Sequence, residues 1–481
     1  MILRRFYEDK LAQASFLVGC TAAREAVVID PNRDLEQYVQ AAERERVKIT
    51  AVTETHIHAD YLSGSRELAA RTGARLYVSD EGGDGWRYAF RDEPNVVALR
   101  DGAEIRAGAV RLRAIHTPGH TPEHLCFELT DTAATDEPMG VFTGDFIFAG
   151  DVGRPDLLEK VAGVAGAMDA SAQALFRSLR AFERRPGHLL LWPGHGAGSP
   201  CGKALGGVPV TTLAYEKLVN SALRETDEAR FVADILAGQP DPPRYFAEMK
   251  RLNRDGPPPL ALRLPPRLDP DAALDVLEGG AVMVDLRRAD EFARAFAPGL
   301  VNIPSGGGFL RWAGRLLPYD RALYLLAGHE SEVVAAVRDL ALIGLEGVRG
   351  WALTATVLLG WANRHGDPES VVRVTFADAM RRVREDGAVV LDVRDRDEWR
   401  AGHVPGAIHV PVADLATRAP GIPQDRPVAV HCQGGGRSSL AVSLLRRLGF
   451  VHVAEIPGGF PEYRELGLPV ETGAADDLVS A

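Results

Sequence analysis

Short apolar runs alternate with amphipathic stretches along the first 245 residues. Ala26-Val27-Val28-Ile29, Ile49-Thr50-Ala51-Val52-Thr53, Val110 to Ile115 and Gly140-Val141-Phe142-Thr143 predict buried strands. Leu35 to Arg46 and Ala170 to Arg184 carry helical spacing, and Ser63 to Leu68 reads as a helix start. Met1 to Glu8 already reads as strand and has no leader profile. The alternation predicts sheet layers covered by helices. A proline-rich stretch, Gly256-Pro257-Pro258-Pro259 through Pro265-Pro266, marks a linker.

Beyond it the chain repeats itself. Ala281 to Arg287 parallels Ala388 to Arg394 at an offset of 107 (392 − 285), and Asn302-Ile303-Pro304 parallels His409-Val410-Pro411 at the same offset. Gly344 then parallels Gly449 at 105 (449 − 344). Each copy runs strand, loop, helix, strand, helix, which predicts a small doubly wound α/β domain with ligands at its strand ends. The expected division is a large domain over 1–245, a linker over 246–268, and small domains over 269–365 and 366–481.

Composition narrows the class. At 481 residues the chain is too long for one core. Its 46% hydrophobic and 25% charged residues fit a soluble globular protein, and no apolar run reaches the roughly 18 residues of a membrane helix. A formal charge of −11 argues against a nucleic-acid surface. A cytoplasmic protein without membrane or nucleic-acid partners is expected. Cys20, Cys126, Cys201 and Cys432 show no C-x-x-C spacing, so neither a disulfide framework nor a zinc ribbon is indicated. Cys20 and Cys126 sit among apolar residues and read as core; Cys201 and Cys432 sit in glycine-rich loops, where a thiol has access.

Candidate chemistry concentrates in two places. His56-Ile57-His58-Ala59-Asp60 leaves the Ile49–Thr53 strand, and side-chain alternation can point its imidazoles and carboxylate into one cleft. His116, His120 and His124, then Asp145, then His195 follow three further apolar runs. Of these, His116 and His124 read as local structure. In the second copy, Cys432-Gln433-Gly434-Gly435-Gly436-Arg437-Ser438 lies between a strand and a helix. Glycines let backbone N–H groups turn toward the sulfur, and the helix N-terminus and Arg437 favour thiolate. The first copy has Ala327 opposite Cys432 and Glu332 opposite Arg437, so nucleophile and cation are both absent.

The order H-x-H-x-D, G-H-T, T-G-D, P-G-H-G resembles the metallo-β-lactamase superfamily over residues 1 to about 240. Tyr61 stands where two-metal members usually carry a further histidine, which puts a second metal in doubt. Within the superfamily the strongest resemblance is to persulfide dioxygenases. It implies one Fe(II) per chain on His56, His120 and Asp145, with His58, Asp60, Tyr61 and His195 around them orienting ligands and water. Arg154, within Gly150 to Asp156, would either hold a substrate carboxylate or pair with Asp156. Cys201, six residues beyond His195 (201 − 195), would lie at the cleft mouth as a sulfur relay or a bystander.

The Cys432 loop resembles that of rhodaneses, as do Asp392-Val393-Arg394 and Gly402 to Ala407. Cys-x4-Arg suits a persulfide sulfur, where related phosphatases use Cys-x5-Arg. The whole order resembles bacterial persulfide dioxygenase–sulfurtransferase fusions, a likeness shared by Gly238-Gln239-Pro240 through Tyr245-Phe246 and by Met249 to Asn253. The implied fold is an αββα sandwich followed by two rhodanese-like α/β domains, the first inactive and serving as spacer or docking surface. The implied activity oxidises a thiol persulfide of the glutathione, coenzyme A or bacillithiol type with O2 to sulfite, and forms thiosulfate at Cys432. A homo-oligomer is expected. Two alternatives stand beside it: a zinc hydrolase of the glyoxalase II or thioesterase kind with an appended rhodanese, and a sulfur-carrier or sensing protein using Cys432 alone.

Overall fold

The computed structural model describes residues 1–160, 166–239, 241–260 and 263–473. Pro240, residues 261–262 of the expected linker and residues 474–481 of the last expected domain lie outside them. The chain divides into two compact units, Met1–Ala261 with Ala341–Gly344, and Leu262–Leu340 with Leu345–Ala481.

In the first unit, strands β1 (Ile2–Glu8), β2 (Gln13–Cys20), β3 (Glu25–Ile29), β4 (Lys48–Thr53), β5 (Arg75–Ser79) and β6 (Val96–Leu99) form one sheet in sequential order. Strands β7 (Glu104–Ala107), β8 (Val110–His116), β9 (Leu125–Asp131), β10 (Gly140–Gly144), β11 (Leu190–Pro193) and β12 (Thr211–Thr212) form the second, ordered β12-β11-β10-β9-β8-β7. Period-two alternation sends Phe16, Val18, Val27 and Ile29 inward to meet Leu112, Phe127 and Phe142 of the opposing sheet. Leu17, Ala26 and Val28 face the other way, against Leu35 and Tyr38 of the helix Leu35–Glu45 and Leu68 of the helix Ser65–Thr72. The helix Ala167–Phe182 covers the far face of the second sheet through Leu175 and Leu179. Each fully buried Phe or Leu contributes about 1.5–3 kcal/mol. The result is the expected αββα sandwich. Cys20 and Cys126 are core residues, as expected.

The expected linker is in part something else. Tyr245–Asp255 is a helix of the first unit that buries Tyr245, Phe246, Met249 and Asn253. Its apolar positions at i, i+1, i+4 hold it down, and only the prolines after Gly256 end it.

The second unit holds two parallel sheets. One is β14-β13-β15-β16, built from β13 (Val282–Asp285), β14 (Val301–Asn302), β15 (Leu323–Ala327) and β16 (Val348–Leu353). The other is β17-β21-β20-β18-β19, from β17 (Val372–Arg373), β18 (Val389–Asp392), β19 (Ile408–His409), β20 (Val428–His431) and β21 (Val453–Ile456). Apart from β17 the strand order is the same. The repeat extends to side chains. Arg287 Nη2 meets Asp285 at 2.6 Å and the Ala295 carbonyl at 2.9 Å; Arg394 Nη2 meets Asp392 at 2.6 Å and the Gly402 carbonyl at 2.7 Å. Asn302 donates to the Arg287 carbonyl at 2.8 Å, and His409 Nε2 lies 2.9 Å from that of Arg394. Every pair stands 107 residues apart (394 − 287, 402 − 295, 409 − 302).

The copies share one seam. The helix Gly436–Arg447, which starts at the sulfur loop, gives Ser443 Oγ to the Asn302 N–H at 3.1 Å and Arg447 Nη1 to the Gly299 carbonyl at 2.6 Å.

Candidate metal centre and sulfur-transfer loop

Strand β4 stops at Thr53, so the pleat does not set the spacing of His56, His58 and Asp60. Hydrogen bonds do. Thr55 N–H and Oγ1–H donate to Asp30 Oδ1 and Oδ2 at 2.6 and 2.9 Å. With its proton given to Asp30, Thr55 Oγ1 accepts from His56 Nδ1 at 3.0 Å, which leaves the His56 Nε2 lone pair facing the site. His120 Nδ1 donates to the Arg154 carbonyl at 2.9 Å and likewise presents Nε2. Asp145 completes the group; its Oδ2 lies 3.5 Å from His120 Nε2 and 3.9 Å from His56 Nε2. One ligand atom from each of the three falls within 4.8 Å of the others, and all three residues are buried.

The charges suit a cation. Burial and repulsion from His58 and His120 hold His56 well below the ordinary imidazole range, and burial also lowers His120, so both rings offer lone pairs. Burial opposes ionisation of Asp145, but His195 and His120 more than offset it and keep the carboxylate anionic. Neither Asp145 oxygen has a hydrogen-bond partner among the described residues. A buried, unsatisfied carboxylate between two neutral imidazoles is costly unless a metal ion occupies the gap. The donor set fits Fe(II) or Zn(II).

His58 does not join. Burial alone would lower its pKa, but Asp30, 3.1 Å from Nε2, raises it to about 9, so the ring is a cation tied to Asp30. Tyr61 donates to the Asp30 carbonyl at 3.2 Å and packs on His58, its ring centroid 4.5 Å away. His195 is held by the Ala12 carbonyl through Nδ1 at 3.0 Å, and its Nε2 stands 3.2 Å from Asp60 and 3.4 Å from Asp145. His124, neutral with its pKa lowered to about 3 by burial, accepts the Asp145 backbone N–H at 3.2 Å. His116 bonds the Pro122 carbonyl at 2.8 Å, away from the centre.

Two expectations need correction. Of the roles open to Arg154, the structure has the structural one: it is fully buried and bidentate to Asp156 at 2.7 Å through Nε and Nη2. Its guanidinium is therefore not open to a substrate carboxylate; its carbonyl orients His120. Cys201 is not at the mouth of the cleft. It is 2% exposed and forms a second group with Asp60 and His195, and burial together with the carboxylates of Asp60 and Asp145 pushes its thiol well above the usual range.

Asp30 and Asn253 were not singled out by sequence reasoning. Asp30 is a polar residue ending the run Val27-Val28-Ile29, in a left-handed backbone conformation with φ 53°. Asn253 gives both amide protons to the His58 and Tyr61 carbonyls at 2.8 Å, while its Oδ1 accepts the Ser63 N–H at 2.9 Å. The Tyr245–Asp255 helix thus clasps the metal loop.

In the second unit, Cys432 follows β20 and forms the floor of a cavity of about 430 Å³. It is 1% exposed, deeper than a freely accessible thiol. The Gly435 N–H donates to Sγ at 3.1 Å and Ser438 Oγ lies 3.8 Å away, at the start of the Gly436–Arg447 helix. Of the three glycines, Gly435 alone has a left-handed φ, 87°; Gln433 and Gly434 are exposed. Arg437 reaches Glu398 at 2.8 Å and Asp395 at 3.0 Å, so its charge is shared with two carboxylates. In the first copy, Glu332 accepts the Gly328 N–H at 2.9 Å, filling the turn where the second copy holds sulfur.

Gly459 also serves the loop. At φ 64° it lets Phe460 N–H reach the Cys432 carbonyl at 2.8 Å, and a Cβ there would stand 2.5 Å from the Gln433 carbonyl oxygen. Gly459→Ala is expected to destabilise the second unit by about 1–3 kcal/mol. Calorimetry would register this as an earlier unfolding transition; an unshifted one contradicts the steric reading.

The sequence profile of the metallo-beta-lactamase superfamily matches residues 9–195. A solved metallo-beta-lactamase from Staphylococcus aureus subsp. aureus COL is 37% identical, covering 73% of this chain and 99% of that one with a TM-score of 0.66. The chain belongs to the metallo-beta-lactamase superfamily. Its superfamily domain is followed by a rhodanese-like domain, whose profile matches residues 375–466. The solved ETHE1 from Myxococcus xanthus is 26% identical over 53% of this chain and 98% of its own, with a TM-score of 0.43. A human hydroxyacylglutathione hydrolase-like protein is 33% identical over 184 residues, 37% of this chain. The chain spans 54% of that protein's length. Among the described residues, no helix is long and apolar enough to cross a membrane.

Proposed function

We propose that the superfamily domain is an iron persulfide dioxygenase and that the rhodanese-like domain carries sulfur on Cys432, the preceding copy being catalytically inactive. The observation that supports this most is the pinning of His58 and Tyr61 to Asp30, which keeps both away from the buried set His56, His120 and Asp145, whose ligand atoms lie within 4.8 Å of one another. Iron bound there supplies the redox chemistry that lets O2 react with a sulfane sulfur. The balance is RSSH + O2 + H2O → RSH + SO3²⁻ + 2 H⁺. In this scheme the Asp30–Thr55–His56 chain and the Arg154 carbonyl fix both imidazoles, and Asp145 supplies the only negative charge of the set.

At the second site the Cys432 thiolate attacks the outer sulfur of a persulfide, and the thiol RSH leaves. Sulfite then takes that sulfur as thiosulfate and the thiolate returns. The Gly435 N–H donates to Sγ at 3.1 Å, a contact that favours the thiolate as attacking and leaving sulfur.

A zinc hydrolase is the second reading, favoured by one observation: Asp60, His195 and Cys201 offer ligand atoms within 4.8 Å of one another beside the first set. Metal analysis of protein purified without air, combined with an oxygen electrode, separates the two. About one iron per chain and oxygen uptake only with a persulfide are expected. Two tightly held zinc ions with thioester hydrolysis and no oxygen uptake would exclude the dioxygenase reading.

A further inference from the structure

The floor of the sulfur-transfer cavity is a thiol, and its walls hold charges of both signs. Arg437, the cation of the Cys432 loop, has a side chain only 17% exposed. Both of its Nη atoms are engaged. Nη2 donates to Glu398 Oε1 at 2.8 Å, while Nη1 reaches Glu398 Oε2 and, at 3.0 Å, Asp395 Oδ2. The two acids are themselves fixed, because they form the capping box of the helix Arg396–Ala401. Glu398 Oε2 accepts the Asp395 N–H at 3.0 Å. Burial opposes ionisation of Glu398, but Arg437 and that N–H more than offset it and hold its carboxyl below the ordinary range.

An anion entering the cavity can take Arg437 only by stranding a partly buried carboxylate, which is costly. Asp395, Glu398 and Cys432 line the cavity together with Arg311, Arg315 and Arg437. With Cys432 as thiolate, three anions therefore face at most three cations. The cavity offers a dianion no surplus of positive charge, so the Coulomb attraction that would retain sulfite or thiosulfate is absent. A thiol persulfide meets a smaller penalty, since its sulfur end carries at most one charge.

We propose that Glu398 and Asp395 set the donor specificity of Cys432: by holding Arg437 they withhold its guanidinium from inorganic sulfur dianions. This rests on the sulfur-transfer reading and deepens it by naming the donor class. Cys432 is loaded from a thiol persulfide, Cys–S⁻ + RSSH → Cys–SS⁻ + RSH; the S–S bond of the donor breaks, and the carrier sulfur takes its electron pair and the proton. Unloading, Cys–SS⁻ + SO3²⁻ → Cys–S⁻ + S2O3²⁻, leaves a dianion that Arg437 does not hold, so the product departs instead of reloading the thiol. Selectivity of this kind comes from denying a contact to the wrong donor rather than from adding one for the right donor.

The test uses the full chain and reads Cys432 persulfide formation by intact-mass spectrometry against donor concentration. Thiosulfate is compared with hydroxyethyl persulfide, whose carrier is uncharged. The double variant Glu398→Gln, Asp395→Asn keeps residue types that cap a helix and removes two negative charges. Its half-saturating thiosulfate concentration is expected to fall by about fivefold or more, with hydroxyethyl persulfide loading within about twofold of the parent. The gain should shrink as salt is raised, and it should be lost when Arg437→Gln is added. A merely structural role of the two acids would change both donors alike and would not respond to salt. An unchanged thiosulfate response, or equal changes with both donors, overturns the proposal. If the parent loads sulfur from no donor, the transfer reading itself fails. Calorimetric titration of sulfite onto the Cys432→Ser chain, with and without the two acid substitutions, then reads the charge balance alone; equal affinities reject it.

Discussion

Asp145→Ala is expected to abolish persulfide-dependent oxygen uptake while sulfur transfer from thiosulfate to cyanide stays within about twofold of the parent. Asp145 is the one anion among the three converging residues, and its oxygens have no hydrogen-bond partner among the described residues. Without it, two neutral imidazoles face the cation, too few donors to hold it. Loss of residues that merely orient ligands costs about 10–100-fold in metal affinity. Asp30→Asn should fall in that range, and Asp145→Ala beyond it. Iron content and oxygen uptake should therefore fall together, more steeply in Asp145→Ala. Retained oxygen uptake, or loss of both activities in a folded protein, would contradict the separation of the two sites.

Cys432→Ser is expected to convert the product from thiosulfate to sulfite. Serine fits the cavity floor, but its hydroxyl does not ionise near neutral pH and cannot carry a sulfane sulfur. Persulfide formation should fall by about a thousandfold or more, while oxygen uptake is spared. Thiol-trapping chromatography of the products reads the outcome. If the variant still makes thiosulfate at the parent's ratio, the coupling of the two sites is wrong. Cys201 would be a poor substitute carrier, since burial and its acidic neighbours hold its thiol protonated.

Much of this was legible in the sequence because periodicity and motif order are local. Strands β3, β4, β8 and β10 fall where apolar runs place them, and the tandem copies follow from an offset that also repeats their Asp–Arg pairs. His56, His120 and Asp145 converge as their motifs imply. What escaped depends on contacts between distant positions. No spacing rule pairs Asp30 with Thr55 and His58, or Asn253 with the metal loop. The role of Arg154 was open because its partner, Asp156, lies two residues away and only burial decides between pair and substrate. The helix Tyr245–Asp255 was hidden by the prolines beside it.

The clasp of Asn253 also sets an order of events during synthesis. Its bonds to the His58 and Tyr61 carbonyls span 195 and 192 positions. A ribosome adding about 5–20 residues per second needs roughly 10–40 s to make that stretch. Throughout that interval His56 and His58 are already made, while the side chain that fastens their loop does not yet exist. The loop therefore begins life unfastened and closes only after the helix Tyr245–Asp255 has been made.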